Sequence, residues 1–465
     1  MSPSSQHLAH TSDFAFVDEL LTYGEDTEPQ PGDVVRFEPD DLVTKSGETF
    51  PNREATVVSC GAGKPLVLRD QESGQQEEIS EYAWLHIVES PSITETWERH
   101  LRRERPDGVA FADGLVDPAL IARLRSGVGR LIQEEPVDYH PGSGTRVRDL
   151  VHPSLYPYVE GTSQALRSLP KLPTPSQDRF GRTFESSRFQ WLPTPFHVDQ
   201  DGSVQIEHPI NNLDRARHPA LYGDLAALFA TVLPLVESVV GYVDTMKFFV
   251  DDSEDVEHEG DLPETRAHAA KPASITSLRG RDLLVIPKIV EYRLAAGETH
   301  EGVWHVEGMS HEHIVATCVY VLDRDEALLG GDLRFKRAYT LEEAGRLFWN
   351  IDQSRPSPVE RLVDEGTIPL GSVATPAGRL LVFPNSHIHK LGELSVAEGA
   401  HEATRRVIVF WLVDPQVQIP STADVKPLQG QISHDEALAI RLELMEERKR
   451  HKQSLNVRAV SLCEH

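Results

Sequence analysis

The chain has 465 residues, of which 39% are apolar and 26% charged, so it can bury a large core and general disorder is not expected. Its 73 acidic residues outnumber 46 basic ones, and the net charge of -27 makes nucleic acid and anionic membrane surfaces poor partners. The 3 cysteines form no paired motif and the first residues lack a secretory pattern, so we expect a cytoplasmic protein without disulfides or a thiolate zinc site.

The first half of the chain contains three segments that differ in composition and residue pattern. Residues 1–30 are polar and are predicted to form a flexible tail. Residues 31–90 contain short β-type runs separated by turn-rich stretches, which predicts a small SH3-like β-barrel module. Residues 91–280 are predicted to be a helical and mixed support region. Its most apolar stretch, Leu225 to Val243, is interrupted by a proline and a glutamate, which favours a buried helix over a membrane span.

The second half contains the predicted core. Residues 281–415 carry six β-type runs joined by turns, a pattern typical of an antiparallel sandwich or jelly roll. Residues 416–465 are predicted to form a C-terminal helix and tail, in which Ser433 and Glu436 make a capping-box pattern. The predicted fold class is therefore α+β, with a cupin-like double-stranded β-helix core, flanking helices and the small N-terminal β-barrel.

A histidine and a glutamate in this predicted core have the spacing of metal ligands. His305 and Glu307 stand two apart in WHVEG, and residues at this spacing in a strand project from the same face. A second histidine could come from His387 or His389 in FPNSHIHK. Two histidines and one carboxylate on one face of an octahedral ion form the facial triad of non-haem Fe(II) oxygenases. Three further histidines are rival ligands: His300, His311 and His313.

A basic pair follows the second histidine segment. Arg405 and Arg406 open the run RRVIVFWLVD. Enzymes with this triad commonly bind the far carboxylate of 2-oxoglutarate with a basic residue one strand after the second histidine, and a guanidinium suits a carboxylate well. Successive strand residues face opposite sides, so one of the two arginines points inward.

The segments WHVEGMSHEHIVAT, GRLLVFPNSHIHK and RRVIVFWLVDP resemble the core motifs of the domain-of-unknown-function family 4246, which is related to the Fe(II)/2-oxoglutarate oxygenases. The resemblance covers about residues 145 to 450. It implies that His389 is the second histidine ligand and that Arg405 anchors 2-oxoglutarate. It also implies Fe(II), 2-oxoglutarate and dioxygen as the metal and co-substrates.

The predicted function is an Fe(II)/2-oxoglutarate-dependent dioxygenase that hydroxylates, desaturates or cyclises an unactivated C–H bond of a small molecule. The acidic charge favours a cationic or zwitterionic substrate, such as an amino-acid-like or natural-product intermediate. The alternatives are a non-catalytic, Zn- or Mn-binding cupin-like scaffold and a protein side-chain hydroxylase. Candidate co-substrate contacts besides Arg405 are Lys288, Tyr292 and Thr317; candidate substrate contacts are Trp304, Arg334, Arg337, Gln190, Trp191 and Tyr156.

Overall fold

A computed structural model of the protein shows a mixed α/β structure with antiparallel sheets. The residues it describes are 28–455, apart from 39–41, 48–49, 51–52, 62, 83–84, 170–175, 181, 185–186, 247–276, 341–342 and 344–366. Most of the predicted N-terminal tail and the end of the predicted C-terminal tail lie outside the described residues. The division of the chain into five parts stays a prediction.

The N-terminal module is a six-stranded antiparallel sheet in the order β2-β5-β4-β3-β1-β6. Its buried side chains include Val35, Ala55 and Leu68, which alternate with more exposed neighbours along their strands. Between the described residues no ladder joins β2 to β6, so closure into a barrel stays a prediction. The strands are β1 Val34–Arg36, β2 Leu42–Thr44, β3 Glu54–Ser59, β4 Leu66–Asp70, β5 Gln76–Tyr82 and β6 His86–Glu89.

Within the described part of the chain, four α-helices flank the sheets: α1 Pro91–Leu101, α2 Pro118–Glu134, α3 Pro219–Thr245 and α4 His434–Leu455. Helix α2 begins where the carboxylate of Asp117 accepts the backbone N–H groups of Ala119 and Leu120. Helix α3 is long and apolar enough to cross a membrane by length and composition. Here its apolar side chains, among them Leu225 and Phe229, pack into a core against α2 and the main sheet.

The main sheet has the order β14-β13-β15-β24-β17-β21-β7, and β8 also pairs with β15. Its central strands contain near-continuous apolar runs, because their residues are buried on both faces. The strands are β7 Ala110–Asp113, β8 Val147–Val151, β13 Thr194–Val198, β14 Val204–Gln205, β15 Arg281–Ala295, β17 Ile314–Arg324, β21 Arg379–Pro384 and β24 Glu402–Val413.

Smaller sheets cover one face of the main sheet. Two of them have three strands each, in the orders β16-β23-β18 and β20-β19-β22. The strands are β16 Thr299–His300, β18 Leu328–Gly330, β19 Leu333–Arg337, β20 Ile368–Val373, β22 His387–Leu391 and β23 Leu394–Val396. Two-stranded pairs are formed by β9 Tyr158–Val159 with β12 Phe189–Gln190 and by β10 Ser176–Gln177 with β11 Thr183–Phe184.

The two faces of the main sheet bury different cores. On strand β24, Ile408 and Phe410 pack in the core that contains α2 and α3, and we call this side the outer face. Val407, Val409 and Trp411 alternate with them and pack in the core shared with the small sheets, which we call the inner face. Polar side chains on the inner face therefore lie between the main and the small sheets. The two-layer antiparallel arrangement agrees with the predicted class, and the jelly-roll assignment itself stays a prediction.

A candidate metal centre on the inner face

A single backbone bridge brings the first and second histidine segments together. The N–H of His305 donates to the carbonyl oxygen of His389 at 3.0 Å, and the N–H of His389 donates to that of His305 at 2.9 Å. The two imidazole rings consequently lie side by side with their centroids 4.4 Å apart. Residues that are far apart in sequence thus form one side-chain pair.

Glu307 completes the group. Its Oε1 lies 3.6 Å from Nε2 of His305 and 3.4 Å from Nε2 of His389. The amide of Asn385 fixes this turn, since its Oδ1 accepts the N–H of Glu307 at 2.8 Å and its Nδ2 donates to the Glu307 carbonyl at 2.9 Å. One ligand atom from each of the three side chains lies within 4.8 Å of the others, a spacing that one metal ion can fill.

The hydrogen bonds of the two histidines leave the metal-binding nitrogens open. Nδ1 of His305 lies 2.7 Å from the carbonyl oxygen of Val303, and Nδ1 of His389 lies 3.2 Å from that of His387. A ring nitrogen that faces a carbonyl oxygen carries the proton, so each Nε2 presents a lone pair toward Glu307. Three electron-pair donors that face one another can share one cation, and this donor set suits a divalent transition metal.

The charge states agree with metal binding. Burial acts to raise the pKa of Glu307, but the two neighbouring histidines, when charged, outweigh it and hold that pKa well below its usual range. Burial lowers the pKa of His389. A carboxylate and a neutral imidazole are the forms that bind a metal ion.

The other candidate for the second histidine lies elsewhere. His387 is buried with Nε2 2.7 Å from the carbonyl oxygen of Asp107, and its ring packs edge-on against Tyr242. Burial lowers the pKa of His387 to about 3. The structure therefore brings His389, and not His387, to Glu307.

The rival histidines also have other surroundings. Nε2 of His311 lies 3.0 Å from the carbonyl oxygen of Phe189. His313 has a left-handed backbone and its carbonyl accepts the N–H of Asp414. Among the described residues, neither these two nor His300 belongs to the group of His305, Glu307 and His389.

Arg405 is the inner-face member of the arginine pair. Its side chain is buried, and its Nη1 donates a long hydrogen bond of 3.4 Å to the carbonyl of Gly331 while Nε has no partner. Burial lowers the pKa of Arg405 to about 10, which leaves it cationic at neutral pH. None of the described carboxylates forms an ion pair with it. Arg406 instead points to the outer face, where it pairs with Glu291 at 2.8 Å and with Asp323 at 3.3 Å.

The other predicted co-substrate contacts share the inner face. Tyr292 pairs in register with Arg405, whose guanidinium lies 5.8 Å from the tyrosine ring centre. Thr317 pairs in register with Phe383, whose ring lies 4.7 Å from that of His389. The hydroxyl of Thr317 is buried without a hydrogen-bond partner. Lys288 lies further along β15, with its ammonium 5.9 Å from the ring centre of Trp411.

The predicted substrate contacts on the small sheets lie in two kinds of environment. The half-buried ring of Trp304 lies beside the ammonium groups of Lys336 and Lys390, at 5.0 and 5.4 Å from its centre. Arg334 is exposed. Arg337 is buried, and two of its nitrogens donate to Glu343 at 2.7 Å each, so its charge is already compensated.

The predicted aromatic contacts lie deeper. Trp191 stacks on Trp411 with ring centroids 4.8 Å apart and thereby reaches the inner face. Gln190 uses its amide to donate to the carbonyl oxygens of Trp191 and Pro420. Tyr156 is buried in the core of the inner face with a left-handed backbone angle φ of 63°.

Asn385 and one further cluster of side chains were not predicted from the sequence. Asn385 stood in the quoted FPN segment, which was the available signal for its role beside Glu307. A second cluster on the inner face, formed by His140, Asp149 and His152, has ligand-type atoms within 4.8 Å of one another. Its members come from a segment with no metal-type spacing near the core motifs, so no local signal pointed to it.

The chain matches a protein-family model. A family model described as a protein of unknown function, DUF4246, matches residues 92–436. No curated protein matches the chain.

Three similar solved structures show how distant the likeness is. A prolyl hydroxylase from Trichoplax adhaerens, in complex with a hypoxia inducible factor peptide fragment, is 10% identical with a TM-score of 0.29, over 71% of this chain and 96% of that one. A 2OG-Fe(II) oxygenase family oxidoreductase from Burkholderia pseudomallei is 12% identical with a TM-score of 0.27, over 68% and 87%. IDO from Bacillus thuringiensis is 13% identical with a TM-score of 0.19, over 29% of this chain and 47% of its own length.

Proposed function

The chain belongs to the DUF4246 family of proteins of unknown function, and we propose that it is an Fe(II)- and 2-oxoglutarate-dependent oxygenase. One observation carries the proposal: a group of two histidines and a carboxylate lies on the same inner face as a buried arginine that has no acidic partner among the described residues. The first feature suits a ferrous ion and the second suits a dicarboxylate co-substrate.

His305, Glu307 and His389 would hold the metal on one side through two imidazole nitrogens and a carboxylate oxygen. A ferrous ion bound there would supply the activation of dioxygen, coupled to the decarboxylation of 2-oxoglutarate to succinate and carbon dioxide. The protein contributes fixed geometry, since Asn385 locks the Glu307 backbone and two carbonyl groups orient the imidazoles.

Arg405 would bind the distal carboxylate of 2-oxoglutarate. Its guanidinium is buried, so an ion pair formed there is weakly screened by water. Tyr292 flanks the guanidinium, and the unpartnered hydroxyl of Thr317 is a further donor near the metal side of the face. The rings of Phe335 and Phe383 pack near His389 and keep water away from the reacting groups.

The buried charge of Arg405 separates this proposal from a Zn- or Mn-binding scaffold. Burial of an unpaired cation destabilises the folded state by roughly several kcal/mol, unless an anion compensates its charge. A scaffold that binds only a metal ion gains nothing from an unpaired buried arginine. A dicarboxylate co-substrate that pairs with Arg405 explains why this arginine is buried without an acidic partner.

The reaction that we propose is hydroxylation, desaturation or cyclisation of an unactivated C–H bond in a small molecule, inside the cytoplasm. Protein side-chain hydroxylation is the alternative outcome, and the N-terminal β module is the feature that would serve it.

The test is anaerobic titration of 2-oxoglutarate into the Fe(II)-loaded protein, followed by succinate measurement after air is admitted with ascorbate. We expect a visible charge-transfer absorbance that needs both Fe(II) and 2-oxoglutarate, and succinate at a basal rate. A protein that binds the metal but neither binds nor turns over 2-oxoglutarate would contradict the proposal and favour the scaffold.

A further inference from the structure

A second polar cluster lies on the inner face, outside the proposed metal centre. Asp149 of strand β8 pairs in register with Val290 of β15, which places its side chain on the inner face. The carboxylate is buried, with Oδ2 at 2.9 Å from Nδ1 of His140 and at 4.0 Å from Nε2 of His152. Its other oxygen, Oδ1, is buried without a hydrogen-bond partner. One acceptor oxygen of the cluster is thus left without a donor.

The proton positions in this cluster suit a hydrogen-bond donor better than a metal ion. Nδ1 of His152 accepts the backbone N–H of Ser154 at 3.1 Å, so the ring proton sits on Nε2 and is directed toward Asp149. In His305 and His389 the arrangement is the opposite, because Nδ1 faces a carbonyl oxygen and Nε2 is the nitrogen with the lone pair. A guanidinium nitrogen of Arg441 also lies 3.8 Å from the Asp149 carboxylate. The positive charge of this guanidinium repels a divalent metal ion.

The Asp149 carboxylate is ionised in this setting. Burial acts to raise its pKa, but the hydrogen bond to His140 and the positive charge of Lys288 act against burial, and the pKa lies below its usual range. The acceptor at Oδ1 is therefore a negatively charged oxygen, and a charged donor forms a strong hydrogen bond to it.

A cation with open donors lies nearby. Lys288 stands two residues before Val290 on β15 and so shares a face with Asp149, the register partner of Val290, yet it forms no ion pair with a described carboxylate. Its ammonium faces the ring of Trp411, and the indole N–H of that tryptophan is buried without a partner. A buried carboxylate and a neighbouring half-buried ammonium thus both have hydrogen-bonding capacity for a ligand, and for the buried carboxylate oxygen the missing partner is costly.

We propose that Asp149 and Lys288 together bind a zwitterionic substrate, an α-amino acid or an amino-acid-like molecule. Its ammonium group donates to Oδ1 of Asp149, and its carboxylate accepts from Lys288 and from the indole N–H of Trp411. This assignment rests on the proposed oxygenase function and gives that site its substrate class. Lys288 then serves the substrate, while Arg405 serves the co-substrate.

Charge balance selects a zwitterion over simpler ligands. An amine without a carboxylate meets the repulsion of Lys288 and Arg441, and an acid without an amine meets that of Asp149. A zwitterion compensates both groups at once. Its carboxylate end also lies toward the metal side, because Trp411 pairs in register with Thr317, which pairs with Phe383 beside His389.

The experiment measures binding without turnover. The metal-free, full-length protein is titrated calorimetrically with the common L-α-amino acids, and each ligand that binds is compared with its decarboxylated amine and its deaminated acid. We expect at least one amino acid to bind, and its two analogues to bind about tenfold more weakly or worse, since each lacks one charged hydrogen-bonded group. The inference is overturned if no amino acid binds or if an analogue binds equally well.

Variants locate the site. Asp149→Asn and Lys288→Met are expected to weaken binding of that amino acid by about tenfold to a hundredfold, and Lys288→Arg is expected to restore part of it. Asp323→Asn is the matched control, because this partly buried carboxylate lies on the outer face beside Arg406 and should leave binding unchanged. Thermal unfolding of each variant checks that it folds. Equal loss in Asp149→Asn and Asp323→Asn would overturn the assignment.

Two further measurements separate the alternatives. Zn²⁺ titration that shows a second bound equivalent, lost in Asp149→Asn, would assign the cluster to a metal and overturn the inference. Amino-acid binding without any succinate formation would contradict the oxygenase proposal and leave the zwitterion site standing. Succinate formation without amino-acid binding would contradict the zwitterion site alone.

Discussion

His305 and His389 face each other across one backbone bridge, and their side chains converge on Glu307 from segments far apart in sequence. We predict that His389→Ala or Glu307→Ala lowers bound Fe(II) from about one equivalent to near zero, because two remaining ligands hold iron weakly. His387→Ala is the control and should keep its iron, since its ring contacts the Asp107 carbonyl instead. Metal analysis of folded variants after dialysis measures this. Iron loss in His387→Ala with retention in His389→Ala would contradict the assignment.

Arg405 and Arg406 are neighbours on opposite faces of β24, and this makes them a matched pair. We predict that Arg405→Gln raises the KM for 2-oxoglutarate about tenfold to a hundredfold, because one charged ion pair is lost. Its bound iron should stay unchanged. Arg406→Gln should leave that KM unchanged, because its partners are Glu291 and Asp323 on the outer face. Succinate formation at varied 2-oxoglutarate measures both, and a reversed result would make Arg406 the co-substrate anchor.

At the scale of elements, helix α4 is held to the rest of the protein by two buried arginines. Arg448 donates to Glu312 at 3.0 Å and lies over the ring of Trp191 at 4.0 Å, and Arg441 donates to Asp138. Burial acts to raise the pKa of Glu312, but Arg448 and His311 outweigh it and lower that pKa. The ion pair with Arg448 therefore stabilises the fold at neutral pH, and this contribution is lost as pH falls through the lowered pKa.

We predict that Arg448→Met lowers the free energy of unfolding by about 3 kcal/mol at neutral pH, because a buried carboxylate then lacks its cation. In this variant the Glu312 pKa rises above its ordinary value, so toward about pH 4 the carboxyl is protonated in both the folded and the unfolded variant, and the destabilisation caused by the unpaired carboxylate should shrink. Urea unfolding at both pH values measures this.

The control is Arg188→Met, which removes an exposed ion pair to the same helix at Glu443. It should lower the free energy of unfolding by about 1 kcal/mol or less. Equal losses in both variants would show that the buried pair has no special role.

The elements also show what sequence patterns can and cannot predict. Alternation predicted strands within 281–415, and the capping box of Ser433 and Glu436 is confirmed by reciprocal hydrogen bonds. The pairing of β8 with β15 was not predicted, because pairing between strands so far apart in sequence leaves no local pattern. Asp149 was missed for this reason. The choice between His387 and His389 was likewise left open by spacing, since both stand on the same side of one strand.

At the scale of the whole molecule, the net charge of -27 raises the question of whether the acidic surface attracts the substrate. A cationic substrate would be drawn by long-range attraction, which reaches about 30 Å at 0.01 M salt and about 8 Å at 0.15 M. A zwitterion has no net charge, so its capture depends on the opposite charges of Asp149 and Lys288 within the fold.

We therefore predict that the KM of a zwitterionic substrate changes by less than about twofold between these two salt concentrations. The KM of the corresponding amine should rise with salt, because only the amine gains from the acidic surface. Steady-state rates at both ionic strengths, at fixed 2-oxoglutarate, measure the two values. A strong salt dependence for the zwitterion would mean that the whole-molecule charge, and not the pair of Asp149 and Lys288, governs its binding.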